Sequence, residues 1–551
     1  MPRLYQPLCR SRLMCVLPLL AALPRAAPQR PADARLNVLL VLVDKLRPAL
    51  GCYGDAVAVT PAFDALAAAP AATLFASAHA QVAWCAPSRN SLLSGRRPQA
   101  TRAYNFLDSF REPGAGPEWV TLPGYFKGSG YYTTGVGKVF HPGLPADDDF
   151  PLSWSDAPFA PPKKGCPNST MTCELAAGDA GVDAAVADEA IARLARRPAG
   201  APFFLAVGLQ GPRLPWSYSA AEAARYPPAP QMPLAANRTA AGLSPLEYFR
   251  PTEVDLYSDV RNVTHDAPMA DALQRRARLA YYAAVSGADT QFARVLAALE
   301  AAGLANSTVV ALAADHGQSL GERNLWSMMG LLDASTRVPL IVRLPGASAS
   351  ASASASASAS ASASANASAS APSNVYYDPV ELVDLFPTLA SLAGLPAPPA
   401  SWALPGTDLS PAFSGGAVAK DAAFSQISRC RNCTLAYANE SAQCAFDAAA
   451  DAAFAVPCAL APRGDFDLMG LAVRTRDWRL AAFCAWDGPR LAPDLRNCSA
   501  AGLELFDHRG DFGPGRPLFD AEAEGDNLAN DPALSGVRDA LFARLVAQFA
   551  Q

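Results

Sequence analysis

From Leu36 to Val43 the chain is an almost unbroken apolar run that stops at Asp44. A run of this length without polar alternation predicts a strand buried on both faces, as in a parallel sheet. Phe203 to Val207 and Thr308 to Ala313 repeat the pattern, and Tyr131 to Val136, which follows a turn at 128–130, reads as a weaker strand. Helix-like stretches at Asp183 to Arg196 and Ala270 to Ala302 lie between them. Strands alternating with helices predict an α/β fold, with a large mixed, mostly parallel sheet sandwiched by helices. A further helix is expected over Pro379 to Leu392. From about Ser401 the segments shorten and become rich in Cys, Gly and Pro, with strand-like stretches at Met469 to Phe483 and Glu504 to Asp507. A smaller C-terminal α+β subdomain with an antiparallel sheet is expected there. The predicted division is 1–27, 35–400 and 401–551, with a low-complexity Ala/Ser loop at 347–372 that has no pattern able to pack.

The first segment reads as a secretory leader. Arg3, Arg10 and Arg12 precede an apolar run from Leu13 to Leu23, and small residues follow at Ala26 and Ala27. That is the order of a cleaved signal peptide, and the run is short for a bilayer span. No membrane span is expected in the mature chain. N-x-Ser/Thr sequons at Asn168, Asn237, Asn262, Asn306, Asn366, Asn432, Asn439 and Asn497 agree with secretion. So do the cysteines. Cys166 and Cys173 lie close together, and Cys430, Cys433, Cys444, Cys458, Cys484 and Cys498 cluster near the C-terminus, which reads as local disulfides whose pairing stays open. A zinc site at Cys430 and Cys433 is disfavoured, because no second close Cys or His pair follows. The expected location is the secretory pathway, ending in a lysosomal or vacuolar compartment or outside the cell. A mild net charge of −5 with no basic block argues against nucleic acid as a partner.

Polar residues gather just beyond the apolar runs: Asp44 after the first, Lys138 and His141 after the second, Gln210 and Arg213 after the third, Asp315 and His316 after the fourth. Ligands in open α/β sheets bind outside the carboxyl ends of the strands, so four strands deliver polar groups to one rim. The sharpest motif is Cys85-Ala86-Pro87-Ser88-Arg89, continuing to Ser94-Gly95-Arg96. A Cys and an Arg opening a helix make a good anion site. A plain thiol nucleophile there would need a base beside it.

The Cys85 motif, together with the run from Gly130 to His141 that contains Gly137-Lys138-Val139-Phe140-His141, resembles the type I sulfatase family. Leu36 to Asp44, Leu46 to Asp55, Pro202 to Gly208 and Val380 to Ala390 are similar to its iduronate-2-sulfatase branch. The resemblance implies an alkaline phosphatase/sulfatase-like fold and a sulfuric ester hydrolase acting on a sulfated sugar or glycan such as a glycosaminoglycan. It implies that Cys85 becomes formylglycine, made by the formylglycine-generating enzyme during secretion. Hydrated to a diol, that group would attack sulfur, expel the alcohol, and collapse to release sulfate. One calcium ion, suited to hard oxygen ligands, would be held by Asp44, Cys85, Asp315 and His316. Arg89 and Lys138 would stabilise negative charge, and His141 would be the base that collapses the adduct. Lys45, Arg47, Gln210 and Arg213 would bind substrate.

Three positions depart from the family pattern. Lys45 stands where a second Asp is expected; Gln210 or Arg213 stands where a His is expected near the leaving group; and Met328 stands where a Lys is expected. Arginine is not a proton donor at working pH. In a chain with six lysines, the Lys45 ammonium is expected to take the place of the metal between Asp44 and Asp315 and to weaken calcium binding. The alternative to an active enzyme is a sulfatase-fold protein that binds sulfated glycans through Arg47, Arg89, Lys138 and Arg213 without turnover. A phosphodiesterase is less favoured, because the Cys85 motif is that of sulfatases.

Overall fold

The computed structural model describes residues 35–142, 147–162, 165–239, 242–249, 253–261, 263, 267–326, 328–346, 372–431, 457–459 and 461–550. The expected leader, the Ala/Ser tract through residue 371, Cys433, Cys444 and the sequons at Asn262, Asn366, Asn432 and Asn439 lie outside these residues. From Arg35 onward the chain makes one compact unit.

The apolar runs form the centre of an eight-stranded mixed sheet. Its longer strands are β1 (Asn37–Val43), β2 (Ala72–His79), β3 (Tyr132–Gly137), β4 (Phe203–Leu209), β5 (Thr308–Ala314) and β6 (Arg337–Arg343). Their order is β2-β6-β5-β1-β4-β3. β1, β3, β4 and β5 are mutually parallel, whereas β6 is antiparallel to both β5 and β2. Every residue of β1, β4 and β5 is buried, so both faces of the sheet are covered. Helix α1 (Cys85–Ser94) packs on α4 (Leu385–Leu392), and α2 (Gly181–Arg196) packs on α3 (Asp271–Ala301).

Register positions the site. Val43 pairs with Leu209 on one side and Ala314 on the other, so Asp44, Gln210 and Asp315 leave three neighbouring strands at one level. Gly137 pairs with Gly208, which brings Lys138 to the same edge. A Cβ at Gly208 would meet the Lys138 carbonyl oxygen at 2.0 Å, so only glycine lets the two backbones approach this closely.

The expected helix over Pro379 to Leu392 is corrected in its first half. Val380–Glu381 is a strand parallel to β2, Leu382–Asp384 is a 3-10 turn, and the helix begins at Leu385. Glu381 is fully buried, and extension lets its carboxylate meet Arg97 and Lys420 while its backbone pairs with His79. Pro387 falls in the first turn of α4, where a missing N–H leaves no gap.

The C-terminal region carries the expected antiparallel sheet: β7 (Ala422–Arg429), β8 (Leu468–Thr475), β9 (Trp478–Asp487), β10 (Ala492–Cys498) and β11 (Glu504–Asp507). The stretch expected as Met469 to Phe483 is two strands folded back at Arg476-Asp477. β7 braces the segment leading to α1: Gln426 N donates to Gln81 O at 2.8 Å, and Ser425 Oγ donates to Ala80 O at 2.6 Å. Disulfides join Cys166 to Cys173, Cys430 to Cys458 and Cys484 to Cys498. No helix among the described residues is long and apolar enough to cross a membrane.

Candidate active site

Asp44, Cys85, Asp315 and His316 converge at the rim, each contributing a ligand atom within 4.8 Å of the others, and all four are buried. Three come from the ends of β1 and β5, and the fourth opens α1. Cys85 is the first residue of that helix, so its side chain lies at the positive end of the backbone dipole. The helix is buried along its whole length although it carries Ser88, Arg89, Asn90, Ser91 and Ser94. Its polar groups therefore need internal partners. Ser88 Oγ donates to Asp315 O at 2.5 Å.

Arg89 ties the cluster together. Its Nε donates to Asp315 Oδ2 at 2.9 Å and its Nη2 to Asp44 Oδ1 at 3.2 Å, while Nη1 donates to the carbonyls of Lys138 and Val139. Lys138 Nζ donates to Asp44 Oδ2 at 2.6 Å. Burial works to raise the Asp44 carboxyl, but Lys138 and then Arg89 outweigh it and hold Asp44 well below the usual carboxylate range. Two buried cations thus balance two carboxylates.

His316 Nδ1 lies 2.9 Å from Gly317 O, and Nε2 lies 3.1 Å from Cys85 Sγ. The carbonyl requires a proton on Nδ1, which leaves the Nε2 lone pair facing the cluster. Burial also lowers the pKa of His316, favouring the neutral ring. Burial, then Asp44, pushes the Cys85 thiol up to about 12, so unmodified Cys85 is a poor nucleophile at neutral pH. Two carboxylates, a fixed imidazole lone pair and the Cys85 side chain form a donor set that fits a divalent cation.

His141 completes the constellation from beyond β3. Burial and then Lys138 push its pKa down to about 2, and Nδ1 is buried without a hydrogen-bond partner. Its ring packs 5.4 Å from that of Phe106. Arg213 stands at the mouth, 44% exposed, with Nε 4.0 Å from Asp44 Oδ2. The Gln210 backbone N–H donates to Asp183 Oδ1 at 2.7 Å, which anchors the loop carrying both residues. Met328, 2% exposed, belongs to the apolar cluster that contains Trp84 and Cys85.

One expectation needs correction, and one residue has an internal partner that the sequence did not show. Lys45 does not occupy the space between Asp44 and Asp315; its ammonium pairs with Glu253. The carboxylates already have Arg89 and Lys138, and Glu253 offers the buried ammonium a partner of its own. Arg47, expected to bind substrate, is committed to an internal ion pair. It is 3% exposed, and its Nη1 donates to Glu322 Oε1 at 2.8 Å, a carboxylate shared with Arg278. Residue 47 lies past the end of β1, where the chain turns inward beneath Tyr281: Arg47 N donates to Tyr281 Oη at 3.2 Å.

Glu253 had no signal in the sequence. It lies 208 residues from Lys45, in a short 3-10 turn, Glu253–Leu256, with no motif around it. The substitution at Lys45 was the one available hint, since a buried ammonium demands an acid somewhere.

Residues 36–395 match the family model described as Sulfatase. The chain is 39% identical over 396 residues to iduronate 2-sulfatase of Homo sapiens, covering 66% of this chain and 70% of that one. Among solved structures, a phosphonate monoester hydrolase from Silicibacter pomeroyi is similar with a TM-score of 0.65 at 21% identity, over 93% of this chain and 95% of that one. A 2-O GAG sulfatase is similar with a TM-score of 0.62 at 19% identity, over 93% and 92%. The two structural likenesses bear on the fold.

Proposed function

This chain belongs to the sulfatase family, and from that premise we propose that it removes sulfate from a sulfated glycan, iduronate-2-sulfatase-like, through formylglycine derived from Cys85. The observation that carries the proposal is the buried Cys85 at the start of α1, enclosed by Asp44, Asp315 and His316. Formylglycine would supply the attacking oxygen, and a calcium ion held by Asp44, Asp315, His316 and the modified residue would supply fixed positive charge beside the sulfate.

The chain's own residues do the rest. Arg89 and Lys138 hold Asp44 and Asp315 in place and lend positive charge where the sulfate oxygens would sit. Both are almost fully buried, so little solvent screens them. His141 is held neutral by burial and Lys138, with Nδ1 unpartnered; it is the group placed to take a proton when sulfate is released, a role that needs the anionic adduct beside it to offset the low basicity of the buried ring. Arg213, at the exposed rim, attracts the anionic substrate but carries no transferable proton. The oxygen of the leaving alcohol therefore departs without a proton from residue 213, which is the one observation favouring the alternative of a sulfated-glycan binder without turnover.

The N-terminal segment and the exposed sequons at Asn168, Asn306 and Asn497 support a secreted glycoprotein. Sulfate release from a 2-O-sulfated iduronate disaccharide, measured on the secreted chain and on Cys85→Ala, tests the proposal. Release by the natural chain and none by the variant is the expected result. Binding without release in both forms would establish the binder instead.

A further inference from the structure

Lys45 is pinned at both ends of its peptide. Its backbone N–H donates to Asp315 Oδ1 at 3.0 Å, its carbonyl accepts from Tyr281 Oη at 3.1 Å, and its φ is 61°. The root of the side chain therefore sits against the cation-binding carboxylates, and only side-chain torsions decide where the ammonium goes. It is 1% exposed, so it cannot escape to water. Among the described residues two acidic destinations stand out: Glu253, or the pair Asp44 and Asp315.

Charge decides what each destination means. Asp44 and Asp315 are balanced by Arg89 and Lys138, so the donor cluster is near neutral before any ion arrives. An unpaired ammonium at Lys45 would make it net positive, and a divalent cation would be repelled at short range. A buried ammonium beside a carboxylate of its own adds the weaker field of an ion pair in place of a full unpaired charge. Glu253 is 17% exposed, holds the ammonium in an ion pair, and is not one of the four donors.

We infer that Glu253 is a positioning residue for the cation site: by holding Lys45 aside, it keeps Asp44, Asp315 and His316 open to a divalent ion. The inference rests on the proposed calcium site and adds to it a residue outside the donor set. The Lys45–Glu253 pair thus acts as one unit in which the acid offsets the cation introduced at position 45.

The test is calorimetric titration of the secreted, folded chain with calcium alone. Glu253→Gln is expected to weaken calcium binding by about ten-fold or more, because the freed ammonium turns toward Asp44 and Asp315. The double variant Lys45→Ala/Glu253→Gln is expected to recover the natural affinity or better, a rescue that simple structural damage at residue 253 would not give. Lys45→Ala alone is expected to bind calcium at least as tightly as the natural chain, which keeps the test decisive should Glu253→Gln fail to fold. Unchanged affinity in Glu253→Gln, no recovery in the double variant, or weaker binding in Lys45→Ala overturns the inference while leaving the calcium site standing. A natural chain that binds no calcium overturns both.

Discussion

His316 presents Nε2 to Cys85 Sγ at 3.1 Å because Gly317 O holds its other nitrogen. The ring is thereby fixed as a lone-pair donor toward the residue that opens α1. Replacing it with Ala removes one donor and the group that orients Cys85. His316→Ala should lose at least about 10–100-fold in calcium affinity and fall correspondingly in sulfate release. Calorimetry and turnover on the same preparation check this; unchanged calcium affinity would remove His316 from the donor set.

Gln210 or Arg213 stands where a proton donor is expected, and of the two Arg213 has its side chain at the exposed rim. A sugar alkoxide needs protonation to leave, whereas a nitrophenolate does not. General acid help is typically about 10²–10⁴-fold, so sugar sulfates should lag nitrophenyl sulfate by a comparable factor. Arg213→His should narrow the gap by raising sugar-sulfate turnover. Comparable natural turnover of both substrates would mean that another residue supplies the proton.

Arg47 pairs with Glu322 inside the protein, beside Arg278. Burial works against the Glu322 carboxylate, yet Arg47 and then Arg278 hold its pKa down to about 2. Removing one partner of a buried pair costs about 3–5 kcal/mol. Arg47→Ala should therefore lower the melting temperature clearly while leaving KM for aryl sulfate unchanged. A raised KM without loss of stability would return Arg47 to the substrate site.

Stability should peak on the acid side of neutrality. Burial and Arg474 oppose protonation of His508, but Asp511, 2.7 Å from Nδ1, and Glu524, 3.4 Å from Nε2, raise its pKa above the ordinary value. That contribution is complete below about pH 6.5 and is lost as pH rises through the raised value. Burial also lifts Asp183 to about 6 and Glu504 and Asp289 to about 7. The folded chain keeps these protons where the unfolded chain has released them, so stability falls as pH climbs from about 4 toward those values. Glu322 acts oppositely, losing its contribution as pH drops through about 2. The melting temperature should be higher at pH 5 than at pH 8, and His508→Gln should flatten part of that slope. A higher melting temperature at pH 8 would contradict the assignment.

The central strands were legible because burial on both faces leaves a local mark: apolar runs at β1, β4 and β5, each followed by a polar residue. β2 left no such mark. Its sequence, Ala-Thr-Leu-Phe-Ala-Ser-Ala-His, mixes small and polar residues, and it becomes a strand through pairing with β6 more than 250 residues away. Glu381 misled in the opposite direction, since a helix-like apolar period surrounds a residue that is extended to reach Arg97 and Lys420. In the site, the motif residues Cys85, Arg89 and Lys138 carried their own signal. The destinations of Lys45 and Arg47 did not, because a charge announces that it needs a partner without saying which one.

Everything proposed for the reaction passes through Cys85. As a thiol it is buried, with a pKa of about 12, beside two carboxylates, and it has little chemistry to offer. As an aldehyde in the same place it would complete an oxygen-rich donor set. The most direct measurement is the mass of the Cys85 peptide from chain secreted by a host with the formylglycine system. The expected result is the formylglycine mass in most of the material. Unmodified thiol or a disulfide at Cys85 throughout would contradict it.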